Sequence, residues 1–355
     1  MARQEQYMFS PDYRNIVNAA ENKKSPRIPL YEHIISHKIM ETMQGKKFAD
    51  LYKGDYRDKV EFFRHYCDFF QDSGYDTVSY ECCVGGVMPG SGALGGHKEG
   101  VIKNRSDFDK YPWDSIPDIY FTSHNDYFRA LEETMPQGMK GIGGVGNGIF
   151  ECVQDVVGFQ ELCYIKADDE DLYKSLFAKV GDILVKIWER FLGEFGSLFC
   201  VCRMGDDLGY KSNTLLSAED VRKYIVPQYK RIVDLVHANG KPFLLHSCGC
   251  IFGVMDDIIT NAGIDAKHSN EDVISPYSRW IDDYGSRIGN FGGLDMDVLC
   301  DSSSVDLVPY TTTVYRLCDT KGRGTAIGSG NSIPDYVSPS RFSTMLDTVR
   351  KLRGE

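Results

Sequence analysis

Residues 241–251, KPFLLHSCGCI, hold the densest chemistry in the chain. A lysine and a proline lead into apolar residues, and polarity then begins abruptly at His246, Ser247, Cys248 and Gly249. The pattern predicts a short buried strand whose C-terminal end opens into a site. His246 and Cys248 stand two apart, so on a strand they point to one face. Neutral imidazole and thiolate are both zinc ligands. The pair alone also fits a buried thiol beside a hydrogen-bonded imidazole, because a zinc site needs three or four ligands.

Other polar side chains follow apolar runs in the same way. In order they are His33; Glu81, Cys82 and Cys83; Gly144 and Asn147; Arg203, Asp206 and Asp207; His268 and Glu271; Asp295; and Ser329 with Asn331. Cys82 or Cys83 could supply a third metal ligand, as could Glu81, Glu271 or His268. A free buried thiol is the other reading of each cysteine. Asp206, His268 and Glu271 are the candidates for proton handling. Glu81, Asn147, Arg203, Asp207, Ser329 and Asn331 are the candidates for contacting substrate. Arg203 ends an apolar run, so it is expected to meet Asp206, Asp207 or an anionic ligand.

The elements that must position these residues follow from periodicity. Strands are expected at 27–33, 76–82, 138–145, 197–203, about 241–246, 264–268, 286–291 and 324–329. Helices are expected at 34–44, 56–73, 125–135, 169–195, from 217 towards Pro227, and at 229–238, 255–262, 276–284, 305–319 and 338–352. Ser217 followed by Ala218, Glu219 and Asp220 has an N-cap and an acidic first turn. Pro227 should kink or end that helix, and Gly240 is the expected C-cap of the stretch 229–238 that follows. Eight strands alternating with helices predict an α/β fold, a single (β/α)8 TIM barrel over 27–355 with an N-terminal helical extension at 1–26. A doubly wound open sheet is the alternative. In a barrel of this kind the residues at strand ends share one rim, so their convergence is informative.

Two glycine patterns are weak. Gly90, Gly92 and Gly95 fit G-x-G-x-x-G, as do Gly141, Gly143 and Gly146. The first opens into GHKEG rather than a helix, and the second lies within a strand. Glycines inside a strand more often permit close packing or ligand approach.

Composition excludes several classes. The chain has 355 residues, a net charge of −11, 42% hydrophobic and 26% charged residues. An acidic chain without basic clusters argues against nucleic-acid binding. No apolar run reaches membrane-spanning length, and the N-terminus lacks a signal-peptide pattern, so a cytoplasmic location is expected. Eleven cysteines without a regular framework are expected to be mostly thiols.

The run DDLGYKSNTLLSAEDVRKYIVPQYKRIVDLVHANGKPFLLHSCG, residues 206–249, resembles the uroporphyrinogen decarboxylase-like superfamily. So do residues 265–297 and AIGSGNSIP, residues 326–334. The resemblance is strong over the C-terminal half and loose over the N-terminal half. It implies a (β/α)8 barrel. The superfamily holds cofactor-free uroporphyrinogen decarboxylases and zinc-dependent methyltransferases that move methyl groups between corrinoids and thiols. The decarboxylases' arginine-rich RQAGRY motif is absent from RIPLYEHIIS, their FSDI-type aspartate is absent from SYECCVG, and Ser329 stands at their late histidine. The methyltransferase branch has H-x-C after its fifth strand, which His246 and Cys248 match. Its late cysteine also falls on Ser329, so either Cys82, Cys83 or Glu271 completes the metal site or the metal is absent.

The resemblance therefore implies a methyltransferase using zinc, with methylcobalamin supplied by a separate corrinoid protein and a small-molecule thiol as acceptor. The runner-up is a metal-independent decarboxylase of a porphyrinogen or another carboxylic acid. A non-catalytic ligand-binding barrel is the third reading. The sequence leaves a homodimer open.

Overall fold

Strand and helix alternate along the chain. The strands are β1 Val78–Cys83, β2 Gly141–Gly146, β3 Phe199–Gly205, β4 Phe243–His246, β5 Ala266–His268, β6 Gly289–Leu294 and β7 Thr325–Ser329. The computed structural model describes residues 9–96, 98–300 and 305–355; the first eight residues of the expected N-terminal extension, and His97 of the GHKEG run, lie outside them. The strand order in the sheet is the chain order, β1 to β7. β3 pairs with β4 in parallel, and so does β6 with β7. Strands β2, β3, β4, β6 and β7 are buried along their whole length. That is the reason they read as near-continuous apolar or glycine runs rather than alternating ones. The fold is α/β, of the TIM-barrel class.

The first expected strand, 27–33, is the exception. It forms an isolated parallel bridge, Leu30 with Ile327, and a second bridge joins Ile35 to Ile333. The Ile327 N–H donates to the Pro29 carbonyl and the Tyr31 N–H donates to the Ile327 carbonyl, each at 2.9 Å. Pro29 has no N–H to carry the ladder further. Seven strands are formed among the described residues, where eight were expected.

The described residues fall into two compact units. The first draws on Met1–Ser79, Arg129–Gly141 and His268–Glu355, and the second on Tyr80–Phe128 and Ile142–Lys267. In the first, helix Tyr56–Asp72 starts at a capping box made by Asp55 and Asp58. Its Phe62, Phe63, Tyr66 and Phe70 are buried, and the Tyr66 hydroxyl donates to the Ser79 carbonyl at 2.7 Å. In the second, helix Glu170–Phe195 is capped by the Asp169 side chain and buries Leu172, Leu176, Val180, Ile183, Leu184 and Ile187. Its Phe191 packs on Phe128 and Phe199.

Three helical expectations change. The 125–135 helix begins at Ile116, because Pro117 is tolerated in a first helical turn. A single wide π-type turn, Val221–Ile225, interrupts the stretch begun at Ser217 just ahead of Pro227, and the second helix begins at Val226 rather than at 229. Helices Ile149–Val157 and Phe159–Asp168 occupy a stretch where none was expected.

Candidate functional site

The H-x-C pair is built at the end of β4, beside the end of β3. The parallel register sets Gly205 opposite His246, so Asp206–Asp207 and Ser247–Cys248 leave the sheet side by side. The Asp206 N–H donates to the His246 carbonyl at 2.9 Å, and the Gly209 N–H donates to the Cys248 carbonyl at 3.1 Å. Gly249 turns the chain at φ +83°, where a Cβ would lie 2.3 Å from the Gly209 carbonyl carbon. Only glycine fits that approach. β4 ends at His246, so Cys248 reaches its neighbour from the loop rather than by strand alternation.

Three donor atoms meet there. Cys248 Sγ lies 3.4 Å from His246 Nε2, and Asp207 Oδ1 lies 3.7 Å from the same nitrogen. All three ligand atoms are within 4.8 Å of one another. The Cys248 N–H donates to Asp207 Oδ1 at 2.9 Å, which fixes the carboxylate. Tetrahedral zinc with ordinary ligand bond lengths spaces its donors roughly 3.3–3.7 Å apart. The sulfur, nitrogen and oxygen set, with two of its separations at those values, therefore fits zinc. The His246 side chain is 7% exposed and that of Asp207 is 43% exposed, so the group is accessible from the Asp207 side. Sequence reasoning placed Asp207 among the substrate contacts. What brings its carboxylate beside His246 and Cys248 is the β3–β4 register, which no spacing within the sequence encodes.

Cys82 and Cys83 do not join this donor group among the described residues. The Cys82 thiol faces the Tyr80 hydroxyl at 3.5 Å, and burial pushes it up to about 12. The Cys83 thiol lies 3.9 Å from Glu81 Oε1 and is raised by burial first and by the Glu81 charge second. Neither thiol is poised as a thiolate.

Arg203 is fully buried and donates from Nε and Nη2 to Glu81 Oε2, at 3.0 and 2.8 Å. Glu81 is thus a carboxylate partner of Arg203, where Asp206, Asp207 or an anionic ligand was expected. Asp206 is also fully buried. Its carboxylate accepts from the Phe150 N–H at 3.0 Å, the Glu151 N–H at 2.8 Å and the Tyr229 hydroxyl at 2.5 Å. Burial raises its pKa against the pull of those donors. Glu151 accepts from Asn147 Nδ2 at 2.8 Å and from the Asp207 N–H at 3.3 Å. Burial, then Asp206 and Asp207, push the Glu151 carboxyl up. Asn147 holds φ +63° and also accepts from the Gly85 N–H at 3.1 Å. Glu151 and Tyr229 were missed in the sequence because they lie on helices, away from any strand end.

In the first unit, His268 Nε2 lies 3.0 Å from the Ser329 carbonyl, and its ring is edge-on to Tyr31 and stacked near His33. A carbonyl only accepts, so Nε2 carries the proton. Ser329 is buried, and its side chain meets Glu32, a residue not singled out in the sequence. Glu271, Asp295 and Asn331 line a cavity of about 360 Å³ together with Met296, Asp297 and Tyr336. Asp295 is engaged in accepting from the N–H groups of Asp272 and Asp297. No helix among the described residues is long and apolar enough to cross a membrane.

The family model of uroporphyrinogen decarboxylase (URO-D) matches residues 94–352. No curated protein matches the chain. Among solved structures, a methyltransferase from Methanosarcina mazei superposes with a TM-score of 0.71 at 12% identity, covering 97% of this chain and 100% of that one. A glycoside hydrolase family 5 enzyme from Prevotella bryantii gives a TM-score of 0.45 at 10% identity, over 98% of this chain and 99% of that one.

Proposed function

The chain belongs to the uroporphyrinogen decarboxylase family, and on that premise we propose that it is a zinc-dependent methyltransferase. In this reading a methyl group passes between a corrinoid, carried as methylcobalamin by a separate protein, and the sulfur of a small thiol. The observation that carries it is the Asp207, His246 and Cys248 donor group. These three residues would hold the metal, with the fourth position left to substrate. Bound there, zinc would lower the pKa of a thiol so that its thiolate is available at neutral pH.

The chain's own residues prepare this set. The Cys248 N–H holds the Asp207 carboxylate, and Glu151 accepts the Asp207 N–H. Asp206, fixed by Tyr229 and by two N–H groups of helix Ile149–Val157, anchors the β3 end from which Asp207 projects. The similarity in fold to a methyltransferase supports the same reading. Porphyrinogen decarboxylation is disfavoured because a substrate with many carboxylates needs free cations. Arg203 is fully buried against Glu81 instead.

Metal analysis of protein purified without chelator tests the proposal. About one zinc per chain is expected, lost in Cys248→Ala and His246→Ala. Methylcobalamin with a panel of thiols then tests transfer. No stoichiometric metal in the wild type, even after incubation with zinc, would overturn the reading.

A further inference from the structure

Glu32 is a buried carboxyl that the proposed chemistry does not use. It is 1% exposed, and among the described residues it forms no ion pair; its oxygens meet Ser329 alone. The Ser329 N–H donates to Glu32 Oε1 at 3.1 Å. The Ser329 hydroxyl oxygen contacts Glu32 Oε2 and also lies 2.8 Å from the Asn331 carbonyl oxygen. A serine hydroxyl has one hydrogen and a carbonyl has none. If Glu32 were ionised, one of these two oxygen–oxygen contacts would have no proton. A carboxylic acid resolves the count: Oε2–H donates to Ser329 Oγ, and Ser329 Oγ–H donates to the Asn331 carbonyl.

We propose that Glu32 works as a neutral carboxylic acid, a positioning residue whose proton fixes the Ser329–Asn331 turn at the wall of the Glu271, Asp295 and Asn331 cavity. The assignment does not depend on the metal reading. Burial points the same way, pushing the carboxyl up to about 8 against the pull of the Ser329 hydrogen bonds. The Glu32 charge would in turn bear on Tyr75, whose hydroxyl burial already holds well above its ordinary value. His268 acts on the same serine from its carbonyl side, and Gly328 packs its backbone within reach of the Tyr31 carbonyl and Glu32 Oε1. Loss of the proton would leave one hydroxyl hydrogen for two acceptors, so the link to Asn331 would break.

A folded state that holds a proton the unfolded chain has released loses stability as pH rises. For Glu32 the loss begins above the ordinary carboxylate range and is complete once pH passes about 8. Glutamine mimics the neutral acid, since its amide can donate where the carboxyl did.

Infrared difference spectra of the wild type against Glu32→Gln, paired with thermal denaturation from mildly acidic pH up to about pH 8, test this. The expected result is a protonated-carboxyl band at neutral pH that the substitution removes, with the wild type losing thermal stability towards alkaline pH more steeply than the variant. Absence of that band, or parallel pH profiles in the two proteins, would overturn the proposal. If Glu32→Gln fails to fold, glutamate-labelled carbon NMR of the wild type and Ser329→Ala serves instead. One glutamate titrating above neutrality, with a midpoint shifted by Ser329→Ala, supports the assignment. No glutamate whose alkaline midpoint responds to Ser329→Ala refutes it.

Discussion

Cys248 donates its backbone N–H to Asp207 Oδ1 at 2.9 Å, so the residue that offers the thiol also sets the carboxylate beside it. The pair places Asp207, rather than Cys82 or Cys83, as the third donor next to His246. Asp207→Asn should weaken zinc binding by roughly 10–100-fold, at least the loss seen for partners that only orient a ligand. Cys82→Ser and Cys83→Ser should leave it unchanged. Competition against a zinc-binding dye measures all three. A loss in Cys83→Ser with none in Asp207→Asn would show that Cys83, not Asp207, holds the third position.

Glu81 and Arg203 form a buried pair, with side chains 6% and 0% exposed. Removing one partner leaves the other charge desolvated, at about 3–5 kcal/mol. Glu81→Ala should therefore lower unfolding free energy by about 3 kcal/mol, measured by urea denaturation. Replacing both with apolar residues of similar volume should recover much of that loss. A Glu81→Ala protein as stable as the wild type would show that Glu81 is not the main partner of Arg203.

Asp206 is raised above the ordinary carboxylate range by burial, so the folded state holds its proton more tightly than the unfolded chain does. Such a group favours folding most below its unfolded pKa, and that contribution is lost as pH rises through its folded pKa. Glu151 acts in the same direction. Each should contribute a fall of about 1.4 kcal/mol per pH unit within its own window. Tyr229→Phe removes a donor to the ionised Asp206, so its window should extend to higher pH. Glu151→Gln should flatten the slope near neutrality. Urea denaturation from mildly acidic to neutral pH reads both, and a wild-type curve that rises with pH would contradict the sign.

Most of the strand positions were legible because buried parallel strands are apolar runs that end in polar residues. His246 and Cys248 were legible for the same reason. What escaped was set by distance in the chain. Helix Ile149–Val157 has no side-chain cap at its own N-cap residue, Gly148; its first N–H groups are satisfied by Asp206, more than fifty positions later. Glu32 sat inside an expected strand, and its partner Ser329 is 297 residues away. Asp207 became a donor only through the β3–β4 register. The strand at 27–33 failed for a local reason that could have been read, the missing N–H of Pro29.

The glycines of β2 explain why a dinucleotide-like pattern appears in a strand. Gly143 holds φ +138°, and a Cβ there would lie 2.0 Å from the Tyr80 carbonyl oxygen and 3.4 Å from Arg203 Nη2. A Cβ on Gly146 would lie 2.9 Å from Glu81 Oε1. The pattern thus makes room for β1 and for the Glu81–Arg203 pair. Gly143→Ala combines an unfavourable φ with a clash against backbone, and should cost roughly 3 kcal/mol or more. Gly193 is the contrasting case: it lies within helix Glu170–Phe195 and nothing stands within 4 Å of an added Cβ. Gly193→Ala should raise stability by about 0.5–1 kcal/mol through helix propensity alone. Denaturation of the two variants side by side separates steric demand from propensity. A Gly143→Ala protein as stable as the wild type would remove packing as the reason for the glycine run.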